Sequence, residues 1–350
     1  MLSSELRWIG AWKIIPLALL VTLAACDRSE KVPNPRGSEQ PADPSAGQEA
    51  ADPGKPGLPN VRVSTAPPPA EIWKEFSGDR AFAEVRRQIE IGPRPSGSPG
   101  AEKAREVISQ ALERNGWEVT RQEFTGETPR GPIKFVNVIG RFAADGSRPV
   151  PIDTQRAIVC SHFDTKRFST IQFVGANDAG SSTGSLIELS RVLALDPKLA
   201  AQVELVFFDG EEALVQFTAE DGIYGSRHYA SQLREQDRAK QFKFGILWDM
   251  IGDRDLSITL PPDSPAEVAK GILKAADALN LRSHFRYFDR SVIDDHVPLN
   301  QAGIPTIDLI DFDYLYWHTA DDTMDKLAPE SMQKVGAVTL YYLRKELAGK

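Results

Sequence analysis

Short apolar runs rich in β-branched and aromatic residues punctuate the chain at 117–124, 135–142, 157–162, 203–208, 244–250 and 304–310. Each has the length of a strand, and several lack polar alternation, as strands covered on both faces do. Between them, apolar residues recur every three or four positions at 81–90, 183–195, 266–278 and 329–345, which predicts helices. Another helix is predicted from Ser98, because a serine cap followed by Pro99 and then Glu102 suits a first turn, and Asn115-Gly116 supplies the stop. Strands alternating with helices predict an α/β protein whose largely parallel sheet is covered by helices.

The ends read differently. Arg7 and Lys13 precede an apolar run from Ile14 to Ala25 that is too short to span a bilayer, the layout of an export signal at 1–25. Leu23-Ala24-Ala25-Cys26 resembles a bacterial lipobox, which implies acylation of Cys26 and a mature protein tied to a membrane only through that anchor, on the periplasmic or extracellular side. Residues 26–69 are rich in Pro, Gly, Ser and Ala, with almost no large apolar side chain, and are expected to be a disordered tether. Residues 70–350, with apolar runs throughout, are expected to form one large domain and a monomer.

Composition narrows the partners. A net charge of −8 without a basic stripe argues against nucleic acid. With two cysteines and Cys26 assigned to acylation, Cys160 has no partner for an intramolecular disulfide. It lies within an apolar run and is expected to be a small buried hydrophobe, not a nucleophile.

Chemistry concentrates where strands end. The run at 157–162 leads into His162 and Asp164, that at 203–208 into Asp209-Gly210-Glu211-Glu212, and that at 244–250 into Asp249. In open α/β sheets, reactive groups gather at the carboxyl ends of the strands. Zinc takes nitrogen and oxygen ligands, and a catalytic zinc keeps one position open, so His162, Asp178, Glu212, Asp249 and His318 are candidates. Each also has a structural explanation. Asp178 suits a cap for the helix near Thr183, Glu211-Glu212 a solvated acidic pair, and His318 an aromatic cluster with Tyr316 and Trp317. His228 is expected on a helix surface, His284 in solvent and His296 beneath the site loop.

The segments His162-Phe163-Asp164, Gly175-Ala176-Asn177-Asp178, Phe207-Phe208-Asp209-Gly210-Glu211-Glu212, Tyr224-Gly225-Ser226-Arg227, Asp294-Asp295-His296-Val297-Pro298, Gly303-Ile304-Pro305 and His318-Thr319 occur in an order that resembles the zinc aminopeptidase and glutaminyl cyclase family. The resemblance runs from about Gly92 to the C-terminus. It implies a three-layer α/β/α sandwich with a twisted mixed, largely parallel central sheet. It also implies Asp178, Glu212 and His318 as zinc ligands, Glu211 as proton carrier, and peptide or protein N-termini as substrate. The residues agree: Glu211 and Glu212 are adjacent past a strand end, so their side chains diverge, one toward a metal and one toward its open position.

Within the family, several features are similar to the glutaminyl-peptide cyclotransferase branch. Residues 213–223 intervene between the glutamate pair and Tyr224-Gly225-Ser226, Asp294 stands where many of the peptidases carry serine, and Trp317 precedes His318. The implied reaction converts an N-terminal glutamine to pyroglutamate with release of ammonia. Zinc polarises the side-chain amide, Glu211 shuttles the proton, Asp294 hydrogen-bonds the nitrogen or Glu211, and Trp317 and Phe217 wall the pocket. Phe217 and Asp308 depart from the animal cyclases, which have tryptophan and histidine there. His162 and Asp249 leave a second metal site available, so a zinc aminopeptidase, with two metals where the cyclase needs one, stays open. A non-catalytic binding domain is disfavoured, because no ligand or base is missing.

Overall fold

The computed structural model of this chain describes residues 66–218 and 220–348. The expectations for the export signal, for Cys26 and for the tether through residue 65 fall outside the described residues. Among the described residues, no helix is long and apolar enough to cross a membrane.

The helix expected from Ser98 begins there, and the one expected at 81–90 starts earlier, at Gly78, because Ser77 caps it. In α1 (Gly78–Ile91) the Ser77 side chain accepts from the backbone N–H of Arg80, and in α2 (Pro99–Arg114) Ser98 accepts from that of Ala101. The first hairpin follows, β1 (Glu118–Gly126) against β2 (Ile133–Arg141). The central strands are β3 (Ala157–His162), β4 (Val203–Phe208) and β5 (Phe244–Asp249), all wholly buried. Their continuous apolar character has that cause: both faces are covered. Between them run α3 (Ser182–Leu193), the single turn α4 (Pro197–Ala200) and α5 (Tyr224–Glu235). The chain closes with β6 (Ile258–Leu260), α6 (Ala266–Ala278), β7 (Phe285–Tyr287), α7 (His296–Gln301), β8 (Thr306–Ile310) and α8 (Pro329–Leu347).

The eight strands lie in the order β1-β2-β4-β3-β5-β8-β6-β7. Strands β4, β3, β5 and β8 are mutually parallel, and β1, β2 and the β8–β6 pair introduce antiparallel neighbours, so the sheet is mixed with a parallel centre. Side chains alternate between two cores. Val159, Leu205, Phe207, Ile246, Trp248, Ile307 and Leu309 pack with α1, α2, α3, α6 and α8, whereas Ile158, Cys160, Val206, Phe208 and Leu247 pack with α5 and the α7 end. That is the three-layer α/β/α sandwich. Cys160 is fully buried in the smaller core, as expected.

Two predicted strands are shorter than their apolar runs. The run at 244–250 stops at Asp249 because Met250 adopts a left-handed backbone (φ 49°) that turns the chain out of the sheet. The run at 304–310 starts pairing only at Thr306, since Gly303 (φ 87°) and Ile304 complete a turn in which Ile304 N–H bonds Leu299 O. The three-residue strands β6 and β7 were not among the predicted elements.

Candidate active site

The parallel strands β4, β3, β5 and β8 end along one rim, and the candidate residues meet there. From the end of β3, His162 places Nε2 3.3 Å from Asp178 Oδ1 and 3.3 Å from Asp249 Oδ1 at the end of β5. The other Asp178 oxygen, Oδ2, is 3.4 Å from His318 Nε2, which in turn lies 2.9 Å from Glu212 Oε1. One carboxylate thus serves two histidines. Two groups result, His162–Asp178–Asp249 and Asp178–Glu212–His318, each with ligand atoms within 4.8 Å of one another.

Both groups fit a metal. Donors about 2.0–2.1 Å from a tetrahedral zinc lie about 3.4 Å apart, the scale of the separations seen here. Asp178 Oδ2 is buried without a hydrogen-bond partner, the condition of a ligand atom that belongs to something other than protein.

Asp178 is not a helix cap, contrary to its structural explanation. It sits in an irregular turn, 176–181, with φ −103° and ψ 95°, and α3 begins only at Ser182 without a side-chain cap. The turn is held from outside. Asp322 Oδ1 accepts the N–H of Asn177 at 2.8 Å and Asp322 Oδ2 that of Asp178 at 3.1 Å, while Asn177 Oδ1 accepts the N–H of Gly252. The fully buried Arg94 donates to the carbonyls of Phe163, Val174 and Gly175, binding the end of β3 to the start of the turn. Gly175 adopts φ 54°, and a Cβ there would lie 1.8 Å from Asp178 O, so only glycine fits.

Asp164 positions the glutamate pair by accepting the N–H groups of Glu211 at 3.1 Å and Glu212 at 3.3 Å. Lys166 Nζ lies 3.3 Å from Glu212 Oε2. Lys166, Arg94 and Asp322 carry no local pattern that singles them out in the sequence.

A cleft of about 390 Å³ opens over the groups, with Lys166, Glu211, Phe217, Asp294, Phe312 and Trp317 in its wall. Trp317 therefore does face the cleft, with its ring stacked on His318 at 4.3 Å, and both it and Phe217 are partly open to solvent. His318 itself has a left-handed backbone, φ 57°, a conformation costly for a non-glycine residue and concentrated at functional sites.

The electrostatics divide the carboxylates. Burial, then the Glu212 charge and that of Asp294, push Glu211 well above the usual carboxylate range, so it readily holds a proton. Burial would raise Asp178 too, but His162 and His318 outweigh it and hold Asp178 low. Burial would lower His318, yet Asp178 and Glu212 push it up to about 10; a cation in the same place would replace that proton.

Asp294 departs from its expected pairing. Its Oδ1 accepts the N–H of Asp295 at 2.5 Å, Oδ2 is buried without a partner, and no hydrogen bond joins it to Glu211 among the described residues. Burial and the neighbouring Asp249 charge raise it well above the usual range. The remaining histidines lie outside the cleft. His228 lies on α5 and stacks on Phe124 at 4.1 Å. His296 is buried, as expected. His284 is not in open solvent: it is half-buried, with Nδ1 3.3 Å from Leu256 O.

Similarity to known proteins bears on the same region. The profile of peptidase family M28 matches residues 137–343. A glutaminyl-peptide cyclotransferase-like protein of Bos taurus is 31% identical over 286 residues, 73% of this chain and 72% of the bovine protein. Among solved structures, a glutaminyl cyclase from an Acidobacteriales bacterium is 32% identical with TM-score 0.70, covering 82% of this chain and 99% of that one. Porphyromonas gingivalis glutaminyl cyclase is 26% identical with TM-score 0.68, over 77% and 99%.

Proposed function

Because this chain belongs to peptidase family M28, we propose that it is the family's cyclising variant, a glutaminyl-peptide cyclotransferase that converts N-terminal glutamine of peptides or proteins to pyroglutamate and ammonia. The observation that carries the reading is Glu211 beside the Asp178–Glu212–His318 group, with Asp294 and Trp317 in the wall of the same cleft. Zinc held by Asp178, Glu212 and His318 would polarise the side-chain carbonyl of the glutamine.

The protein's own groups do the rest. Glu211 accepts a proton from the attacking α-amine as the new C–N bond closes the five-membered ring, then delivers it to the departing amide nitrogen, which leaves as ammonia. Burial suits Glu211 to this, since a carboxyl whose pKa is raised is a stronger base when ionised. Asp294 accepts a hydrogen bond from the reacting nitrogen. Trp317 and Phe217 flank the glutamine side chain and limit water, favouring attack by the amine over hydrolysis. An export signal at 1–25 and acylation of Cys26, as the lipobox-like Leu23-Ala24-Ala25-Cys26 suggests, would put this enzyme outside the cytoplasm, tied to a membrane through the lipid.

The second reading is a zinc aminopeptidase, favoured by the His162–Asp178–Asp249 group, which supplies ligands for a second metal. One experiment separates them: purified protein is given a Gln-initiated peptide and a leucine amide, and ammonia and free leucine are measured. Ammonia from the peptide without leucine release, lost on chelation and restored by zinc, is expected. Leucine without cyclisation selects the peptidase, and full activity in protein shown to be metal-free removes the zinc assignment.

A further inference from the structure

On the α7 side of the sheet, Asp294 of the cleft wall backs onto His296 and Asp308, two side chains whose polar atoms the reaction does not use. Asp294 lies two residues before α7, His296 is the first residue of α7, and Asp308 is the middle residue of β8. The neighbours of Asp308, Ile307 and Leu309, point into the larger core, so Asp308 points to the other face, where α7 packs against β8. Asp294 and His296 are 3% exposed and Asp308 is 0%. One ligand atom from each lies within 4.8 Å of the others, and His296 Nδ1 is 3.7 Å from Asp308 Oδ2.

Both ring nitrogens of His296, both oxygens of Asp308 and Oδ2 of Asp294 lack any hydrogen-bond partner. Buried polar groups are almost always paired, and two carboxylates this deep stay ionised only beside a positive partner. No lysine or arginine pairs with either carboxylate among the described residues. A water molecule brings two hydrogens and no charge. The partner that satisfies an imidazole and two carboxylates together is a cation.

We propose that Asp294, His296 and Asp308 hold a divalent cation of the zinc or manganese class, separate from the cleft groups. One nitrogen and two carboxylate oxygens suit those ions, and a nitrogen–oxygen separation of 3.7 Å is close to the edge of a zinc tetrahedron, about 3.4 Å. The cation ties α7 to β8 and fixes Asp294 from behind, which makes His296 and Asp308 positioning residues. The site does not depend on whether the cleft cyclises or hydrolyses.

Metal content tests it directly. Full-length protein is saturated with zinc, freed of unbound metal and analysed by plasma mass spectrometry beside Asp308→Asn and His296→Gln. Each variant should hold one equivalent less than the parent. Asp308→Asn should lose the same equivalent when added to Glu212→Ala with His318→Ala, which removes the cleft group, so a failure there and a failure here are distinct results. Melting gives a second readout. In chelator, Asp308→Asn should melt at or above the parent, because one of two close buried carboxylates is gone; in zinc chloride it should melt below the parent. Equal metal content of Asp308→Asn and its parent in both backgrounds, or melting on the same side of the parent in both media, overturns the proposal.

Discussion

Asp322 Oδ2 accepts the backbone N–H of Asp178 at 3.1 Å, joining the loop after His318 to the turn that carries the shared carboxylate. The same side chain receives the N–H of Asn177 and, at 2.7 Å, the Tyr314 hydroxyl. Asp322 therefore sets where Asp178 stands without touching a metal itself. Partners of this kind typically govern about 10–100-fold in metal affinity. Asp322→Ala is expected to weaken zinc binding by that factor in a chelator competition, while unchanged affinity would show that the 176–181 turn holds its own shape.

Glu211→Gln keeps the size of the side chain and removes the proton acceptor. Turnover should fall by about two to four orders of magnitude while zinc content stays that of the parent. Loss of zinc together with activity would instead make Glu211 a ligand.

Asp294→Ser distinguishes the two reactions. A cyclase should lose most ammonia release from Gln-initiated peptides, since the serine hydroxyl replaces the buried carboxylate in the cleft wall. An aminopeptidase should hardly respond. Undiminished cyclisation in this variant removes Asp294 from the mechanism.

Asp311, whose side chain faces Ser257, gives a pH dependence of stability. Burial pushes it from 3.8 up to about 7, against the N–H of Ser257 at 2.8 Å. A folded-state pKa above the unfolded one means that the folded protein binds the proton more tightly, so this contribution is present below pH 4 and is lost as pH rises toward 7. Asp311→Asn removes that loss. Urea unfolding should therefore find the variant gaining on the parent by about 1.4 kcal/mol for each step of one in pH across the window from 3.8 to about 7, with no further gain above it. A difference that does not change with pH would show that Asp311 titrates normally.

Elements that bury both faces were the legible ones: the runs ending in His162, Phe208 and Asp249 are strands of mostly apolar residues without polar alternation, Glu204 being the one charge inside them, and their carboxyl ends carry the polar residues that meet at the rim. Strands β6 and β7 are three residues each, too short for any periodicity to register. Asp178 could not be told from a cap, because a carboxylate before a helix has the same local signature whichever way the turn folds. Lys166, Arg94 and Asp322 act on the site through partners remote in the chain; Arg94 and Val174, joined by a hydrogen bond, are 80 positions apart. The aromatic wall was visible in Trp317 and Phe217, whereas the place of Asp308 opposite His296 emerged only from the register of β8 against β5.

Asp178 offers one oxygen to His162 and the other to His318, and a single carboxylate cannot treat two neighbours independently. Whatever binds beside one histidine draws on the same negative charge and fixes the same rotamer that the other side needs. The two halves of the cleft therefore share a coupling free energy that is equal in both directions. A first ion that merely orders the turn lowers the cost for a second, whereas one that consumes the charge raises it. A titration that fits two independent sites would describe some other arrangement than this one.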